Sequence, residues 1–130
     1  MNFDQNDMKP IFVKIAEGIE DDIINEILKE EDQAYSQNQL AKQLGVNPAT
    51  ALKGLNLLVE EGTLYKKRGI GMYVSGGARK KIMEKRKQIF LSKLINEVIS
   101  EAKKLNITKT EVIDMLNKLE GWENNEGSVL

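Results

Sequence analysis

Two short helical segments joined at a single glycine constrain the fold of this chain more than any other feature of its sequence. Ser36 and Gln39 have the spacing of a capping box, in which each side chain bonds the backbone N–H of the other residue. The pattern predicts a helix over Gln37 to Leu44 that ends at Gly45, because glycine readily takes the left-handed conformation found at helix C-termini. The chain therefore turns sharply after a short helix.

A second helix starts immediately after this turn. Asn47 supplies an N-cap side chain, and Pro48 stands at the first helical position, where its missing N–H costs nothing. The helix is predicted to run to about Glu61, with Ala51 and Leu55 on its apolar stripe. This spacing is typical of a helix-turn-helix, which leaves the first turn of its second helix free to enter a DNA major groove. A compact helical hairpin without that role is the alternative that spacing leaves open.

A strand pair with a basic, glycine-containing turn follows the second helix. Short strands are predicted over about Thr63–Lys67 and Met72–Ser75. A hairpin in this position makes a winged helix-turn-helix, whose wing would lie along the DNA backbone or in the minor groove. Cations of the turn would pair with phosphates, and glycine would let the turn approach closely. The wing residues assigned to DNA contact are Lys66, Lys67, Arg68 and Gly69.

Positive charge is concentrated in one part of a chain whose net charge is −1. Residues 66–93 contain 10 basic residues and one acidic residue, whereas residues 1–65 have a net charge of −7 and residues 94–130 a net charge of −3. A basic block between acidic ones is expected for a contact with a polyanion. A solvated helix face is the equally simple alternative.

The composition excludes several classes of chemistry. The chain has no cysteine and no histidine, which excludes disulfides, zinc sites with those ligands and histidine-based catalysis. Lysines and carboxylates are plentiful but form no glycine-rich or metal-ligand pattern, so we predict no enzyme, catalytic residue, metal or cofactor. The polar N-terminus and the absence of a run of about 18 apolar residues predict a cytoplasmic protein without a membrane partner.

The remaining pattern is helical, so the predicted fold class is mainly α with a small β-hairpin. A first helix is predicted over Ile11 to Lys29, and a long helix over Ala78 to about Leu105. Thr108 and the glutamate three residues later open a last helix, and the sequence after it predicts a frayed tail. The glycine pair at 76–77 predicts a joint between a winged helix-turn-helix, residues 1–76, and a C-terminal two-helix dimerisation region, residues 77–130.

The long helix carries an apolar stripe that is too wide for a lone helix in water. It can pack on the last and first helices, or it can form a two-fold contact with a second copy of the chain, and the two are compatible. The residues assigned to dimerisation are Phe90, Leu91, Leu94, Ile95 and Val98.

The stretch "PIFVKIAEGIEDDI" and the tract "QNQLAKQLGVNPATALKGLNLLVEEGTLYKKRGIGMYVS" resemble the DNA-binding domain of the GntR family of bacterial transcription regulators, over residues 10–75. The short C-terminal region resembles the YtrA-type subfamily. The resemblance implies a homodimeric repressor of a palindromic operator in double-stranded DNA, suggests control of a transporter operon, and leaves room for an unknown small-molecule effector. A winged-helix protein-interaction module without specific DNA binding is the alternative.

The resemblance also implies roles for individual residues. Many family members carry proline where this chain has Tyr35, and arginine where it has Asn38. Asparagine can pair with adenine through two hydrogen bonds, so Asn38 is a candidate base reader, but a guanine contact by arginine is lost. Thr50 matches a phosphate-binding position, and Leu52 can touch a thymine methyl or simply pack. The implied DNA-binding residues of the two helices are Ser36, Asn38, Asn47, Ala49, Thr50 and Lys53.

Overall fold

The computed structural model of the protein describes residues 8–122, and the chain divides into two units after Lys87. The first unit contains α1 (Ile11–Ile24), α2 (Gln37–Leu44), α3 (Pro48–Glu60), β1 (Leu64–Lys67), β2 (Gly71–Val74) and most of α4 (Ala78–Ile89). The second unit contains a π-helical turn (Phe90–Leu94), α5 (Ile95–Lys104) and α6 (Lys109–Lys118). The predicted fold class is confirmed: a winged helix-turn-helix with an antiparallel two-stranded wing precedes a long C-terminal helical region.

Local capping bonds explain why α2 and α3 begin and end where the sequence predicts. Ser36 Oγ accepts from the N–H of Gln39 at 3.1 Å, and Gln39 Oε1 accepts from the N–H of Ser36 at 2.8 Å. Gly45 ends α2 in the left-handed conformation, with φ 67°. Asn47 Oδ1 accepts from the N–H of Ala49 at 2.8 Å and caps α3. Both helices therefore depend on bonds between residues close in sequence.

A glycine in the middle of α3 allows α1 and α3 to cross closely. A Cβ atom at Gly54 would lie 2.9 Å from the carbonyl oxygen of Phe12 and 3.1 Å from Cγ2 of Ile15. Any larger residue would therefore push the two helices apart. The core built around this crossing contains Ile15, Ile19, Ile23, Leu40, Ala51, Leu55, Leu58, Leu64 and Val74, all buried. It holds α3 with its N-terminal turn at the surface.

Helix α1 ends earlier than the sequence predicts, at Ile24. The carbonyl of Asp22 accepts from the N–H of Ile27 at 2.9 Å and from that of Leu28 at 3.1 Å, and Glu26 takes φ 59°. The chain therefore reverses where helical periodicity alone would continue it. The side chain of Ile27, which lies within the predicted helix, is 65% exposed, whereas Leu28 is buried.

The segment before α2 holds the wing to the rest of the first unit. In the wing itself, Leu64 of β1 lies opposite Val74 of β2, and both are buried. The N–H of Glu31 donates to the carbonyl of Val74 at 2.8 Å, and that of Ala34 donates to the carbonyl of Met72 at 2.8 Å. The hairpin is thus bonded along its second edge to the residues that lead into α2.

A tyrosine ties the start of α2 to α1. The hydroxyl of Tyr35 donates to Oδ2 of Asp22 at 2.6 Å, and Asp22 is buried. Burial and this bond to the carboxylate together raise the pKa of Tyr35 to about 12, since both penalise the phenolate. The residue that departs from the family pattern at position 35 therefore makes a bond that proline could not.

Helix α4 belongs to the core of the first unit in its N-terminal half. Ala78 and Ile82 are buried against that core. The contact boundary after Lys87 consequently lies beyond the predicted joint at residues 76–77, where the chain makes a turn into α4. Apolar burial continues across the turn, which a glycine pair in the sequence does not reveal.

The second unit contains the end of the predicted long helix and the predicted last helix. A π-helical turn, Phe90–Leu94, interrupts the α-helical hydrogen bonding between α4 and α5. The last helix has the predicted capping box, with the N–H of Glu111 donating to Oγ1 of Thr108 at 3.1 Å. The predicted frayed tail falls largely outside the described residues. Within residues 8–122, no helix is long and apolar enough to cross a membrane.

Candidate nucleic-acid interface

The wing presents three consecutive cations, all of them exposed. Lys66, Lys67 and Arg68 lie at the end of β1 and the start of the turn, followed by exposed Gly69. Nζ of Lys67 lies 4.0 Å from the ring centre of Tyr73, within the range of a cation–π contact. Because side chains alternate along a strand, Lys66 projects from the opposite face. The wing therefore offers positive charge on two faces.

The predicted DNA-binding residues of α2 and α3 lie around the turn that joins these helices. Asn38 and Ala49 are exposed, and Thr50 is half-buried. Ser36 and Asn47 are also exposed, but the side-chain oxygen of each caps its own helix. The amide group of Asn47 keeps its N–H donors for another partner, since only the oxygen acts as the cap.

Lys53 and Leu52 lie beside helix α1. Nζ of Lys53 is 4.2 Å from the ring centre of Phe12, a cation–π contact that holds the exposed lysine against α1. Half-buried Leu52 lines a groove with Phe12, Ala49 and Asn56. Leu52 is therefore partly accessible on the surface that α3 shares with α1.

Four of the six cations of α4 are bonded to the first unit's own acidic residues and carbonyl groups. Glu20 is 3% exposed and receives hydrogen bonds from Nζ of Lys85 and, at 3.1 Å, from Nη2 of Arg86. Arg86 also donates to Oδ1 of Asp21 at 2.5 Å and to the carbonyl oxygen of Glu17 at 3.0 Å. These bonds attach α4 to α1 over a separation of about 65 residues in sequence.

Two further α4 cations bond to helix ends. Nε of Arg79 donates to the carbonyl of Ile24 at 2.9 Å, and Nζ of Lys81 donates to the carbonyl of Glu61 at 2.6 Å. These carbonyls lie at the C-termini of α1 and α3, where intrahelical donors are lacking and positive charge is favourable.

The pKa of Lys85 reflects the same bonds. Burial lowers this pKa, but hydrogen bonds and charge attraction from Glu20, with a smaller contribution from Glu61, outweigh it and raise the pKa above its ordinary value. The lysine therefore stays charged at neutral pH.

The basic block predicted from the sequence thus has two parts with different surroundings. The wing cations are exposed, whereas the α4 residues Arg79, Lys81, Lys85 and Arg86 bond within the first unit. Neither a uniform polyanion contact nor a simple solvated helix face describes the block. Sequence position alone could not separate the two parts, because the acidic partners lie in a distant segment.

The side chains assigned to dimerisation lie in the second unit. Phe90, Leu91, Leu94 and Val98 are exposed, the last two at 47% and 49%, and Ile95 is half-buried. Farther along, an apolar groove runs between α5 and α6, lined by Val98, Ala102, Leu105, Ile107, Val112, Met115 and Leu116. Nothing in the described chain covers these side chains fully.

The sequence analysis missed the residues that support the wing. The hydroxyl of Tyr65 donates to Oε2 of Glu31 at 2.6 Å, and Nε2 of Gln33 donates to the carbonyl of Ile70 at 3.3 Å. Glu31 and Gln33 lie in the segment before α2. The polar composition of this segment indicated only the end of the first helix. The available signal was its position directly before the Ser36 cap, since a segment entering a helix-turn-helix can pair with the edge of the wing.

Comparison with known proteins places this geometry in a family. Residues 12–74 match the profile described as "Bacterial regulatory proteins, gntR family". A solved structure of a GntR family transcriptional regulator from Listeria monocytogenes is 31% identical, with a TM-score of 0.71, over 88% of this chain and 99% of that chain. The chain belongs to the GntR family. It is accordingly a DNA-binding transcription regulator with a winged helix-turn-helix, in a family of regulators and not of enzymes.

Other relatives agree with the predicted resemblance. The structure of YtrA from Sulfolobus acidocaldarius, a GntR-family transcription factor, is 26% identical with a TM-score of 0.51, over 91% of this chain and 94% of that chain. The HTH-type transcriptional repressor NagR of Bacillus subtilis (strain 168) is 33% identical over 75 residues, which are 58% of this chain. This chain spans only 31% of the length of NagR, so the similarity to NagR concerns one part of that protein.

The internal bonds of α4 generate a prediction about Arg86. Replacing it with alanine, Arg86→Ala, removes its bonds to Glu20, Asp21 and the Glu17 carbonyl. We expect the free energy of unfolding to fall by about 1.5–3 kcal/mol, the range for hydrogen bonds to charged groups. The slope of log affinity against log salt for a non-specific DNA duplex should stay unchanged. Urea unfolding measures the free energy of unfolding, and fluorescence titration of the duplex measures the salt slope. Unchanged stability together with a shallower slope would contradict the conclusion that Arg86 is bonded within the protein.

Proposed function

We propose that the protein is a dimeric, sequence-specific repressor that binds a palindromic operator in double-stranded DNA. The observation that carries this proposal is the pairing, on one compact unit, of an exposed α3 N-terminal turn with a wing carrying three exposed cations. NagR, the relative named a repressor, supports repression as the direction of control. A transporter operon is the target that the family resemblance suggests, with release by a small molecule of unidentified chemistry.

Base recognition is assigned to the exposed residues at the helix turn. Asn38 and Ala49 have free side chains, so Asn38 can pair with an adenine edge and Ala49 can contact a thymine methyl. Thr50, at the first turn of α3, is assigned to a phosphate, as is the donor group of Asn47. Ser36 acts at the N-terminus of α2, where unbonded backbone N–H groups attract a phosphate. Lys53 reaches DNA only by leaving the ring of Phe12.

The wing cations are assigned to the phosphate backbone. They are exposed, and the only side-chain contact described for Lys66–Arg68 within residues 8–122 is the stacking of Lys67 on tyrosine rings. Such cations release counterions when they bind phosphate, which makes affinity depend steeply on salt. Lys66 and Arg68 are the stronger candidates, because the tyrosines hold Lys67 on one face of the hairpin.

Dimerisation is assigned to the apolar side chains of the second unit. An exposed row containing Phe90, Leu91, Leu94 and Val98 is expensive to leave in water and suits a self-complementary two-fold contact. A dimer would present two recognition helices to major grooves about 34–36 Å apart. Symmetry of the protein then requires symmetry of the operator.

Selection of bound sequences from random duplex DNA tests the proposal as a whole. We expect a palindromic consensus whose half-sites are centred about one helical turn apart. Selection with Asn38→Ala should give the same consensus relaxed at one position per half-site, since one base contact is worth about 1–3 kcal/mol. Ala49→Asp should instead weaken binding to every sequence. Recovery of no consensus from the parent chain would favour the protein-interaction alternative.

The wing is tested by the triple change Lys66→Ala, Lys67→Ala and Arg68→Ala. These surface changes should shift the free energy of unfolding by less than about 0.5 kcal/mol. Each lost phosphate contact lowers the slope of log affinity against log salt by about 0.9. If Lys66 and Arg68 of each chain contact phosphate and Lys67 does not, a dimer should lose about three to four units in all. Arg86→Ala is the matched control, because it removes a cation that is bonded within the protein. If the triple variant has the same slope of log affinity against log salt as the parent chain, the wing does not touch DNA.

The dimer is tested by placing a charge in the apolar row. Light scattering of the parent chain at micromolar concentration should give about twice the mass of one chain, 14.7 kDa. Leu94→Asp should give a single-chain mass, because an unpaired carboxylate within an apolar contact is strongly unfavourable. Lys93→Asp, at the neighbouring exposed position, should leave the dimer intact. A parent that is already monomeric would contradict the assignment.

A further inference from the structure

A glutamine in the segment before α2 reaches the tip of the wing. Nε2 of Gln33 donates to the carbonyl oxygen of Ile70 at 3.3 Å, across 37 residues of sequence. The N–H of Ile70 in turn donates to the carbonyl of Lys67 at 3.0 Å and closes the turn of the hairpin. The Gln33 amide therefore bonds to the same residue that closes the turn.

Gly71, at the start of β2, lies directly beside the amide of Gln33. A Cβ atom at Gly71 would lie 2.8 Å from Nε2 of Gln33, so a side chain there would displace the flexible end of the glutamine. Gly71 also has φ 146°, which residues with a side chain rarely adopt. The glycine thus leaves room for the amide to lie against the wing backbone.

The main-chain bonds between the segment before α2 and strand β2 do not reach the tip of the wing. Gln33 forms an isolated antiparallel bridge with Tyr73, and the N–H of Ala34 donates to the carbonyl of Met72. Ile70 lies two residues closer to the tip than Met72. The side chain of Gln33 extends the support from the paired part of β2 to the turn that carries the cations.

The same short segment also starts helix α2. Gln33 precedes by three residues the N-cap Ser36, whose capping box fixes the first turn of that helix. The residues that hold the wing tip and the residues that begin the helix-turn-helix are therefore nearly continuous. A contact from this segment to the wing fixes the spacing between the two elements assigned to DNA.

We propose that Gln33 is a positioning residue for DNA binding, which holds the wing turn so that Lys66 and Arg68 meet phosphates without a further ordering step. The proposal rests on the proposed function, since it assumes that the wing contacts DNA. A neutral donor suits this place, because it bonds the carbonyl of Ile70 without neutralising the neighbouring cations. A wing that is already ordered loses less conformational entropy when it binds.

The test uses the full chain with Gln33→Met, which keeps the length of the side chain and removes its hydrogen-bond donor. Gln88→Met, at an exposed glutamine of α4, is the matched control. Two measurements are made on each protein. Amide hydrogen exchange at Ile70 reports the order of the turn without DNA, and titration of a 20-base-pair duplex over a range of salt concentrations reports binding.

We expect Gln33→Met to accelerate exchange at Ile70 by about two- to tenfold, the equivalent of one lost hydrogen bond. Affinity for the duplex should fall by a similar factor, about two- to tenfold, with the melting temperature unchanged. The salt slope should stay within one unit of the parent's, because every cation is still present. This combination differs from that of the triple wing variant, in which the slope itself falls.

Three results with Gln33→Met would overturn the proposal. The exchange rate at Ile70 could equal that of the parent chain, or exchange could be faster while the affinity for DNA stays that of the parent. The third is a lowered melting temperature with faster exchange throughout the core. The last would assign Gln33 to the stability of the fold instead. If the parent chain binds no duplex, the proposed function fails, and exchange at Ile70 still shows whether Gln33 orders the turn.

Discussion

The carboxylate of Glu20 is almost completely removed from water, and such a group must find positive partners within the protein. Lys85 and Arg86 supply them from a helix about 65 residues farther along the chain. The acidic α1 and the basic α4 are therefore held together, and Ala78 and Ile82 close the core beneath them. Removing one partner of such a buried group is costly, so the attachment of α4 depends on the whole cluster.

This cluster also occupies part of the basic block. The cations bonded to α1 and to helix ends are held in place by their partners, whereas those of the wing are exposed. A chain with a net charge of −1 can consequently present a local cationic surface without a large overall positive charge. The segment before α2 then supports that surface through backbone pairing with β2 and through Gln33.

Close packing and polar contacts have complementary roles in positioning the helix-turn-helix. The crossing of α1 and α3 at Gly54 sets the depth of α3 in the unit, because any side chain there would meet the backbone of α1. The bond from Tyr35 to Asp22 fixes the entry to α2. The N-terminal turn of α3 is left at the surface as a result, with Ala49 exposed and Asn47 occupied as a cap.

The sequence by itself determined the elements whose causes are local. The capping boxes at Ser36 and Thr108, the turn at Gly45, the Asn47 cap and the hairpin all depend on residues a few positions apart, so their spacing predicts them. The helix-turn-helix and its wing could be predicted for the same reason.

Tertiary structure decided what depends on contacts between distant residues. The early end of α1, the burial of the first half of α4, and the pairing of residues 31–34 with β2 all depend on such contacts. So do the division of the basic block and the contact from Gln33 to Ile70, whose partners are separated by 20 to 69 residues. Periodicity and capping carry no information about which distant segment will bring a carboxylate to a lysine or a carbonyl to an amide. That choice is made by the packing of the core.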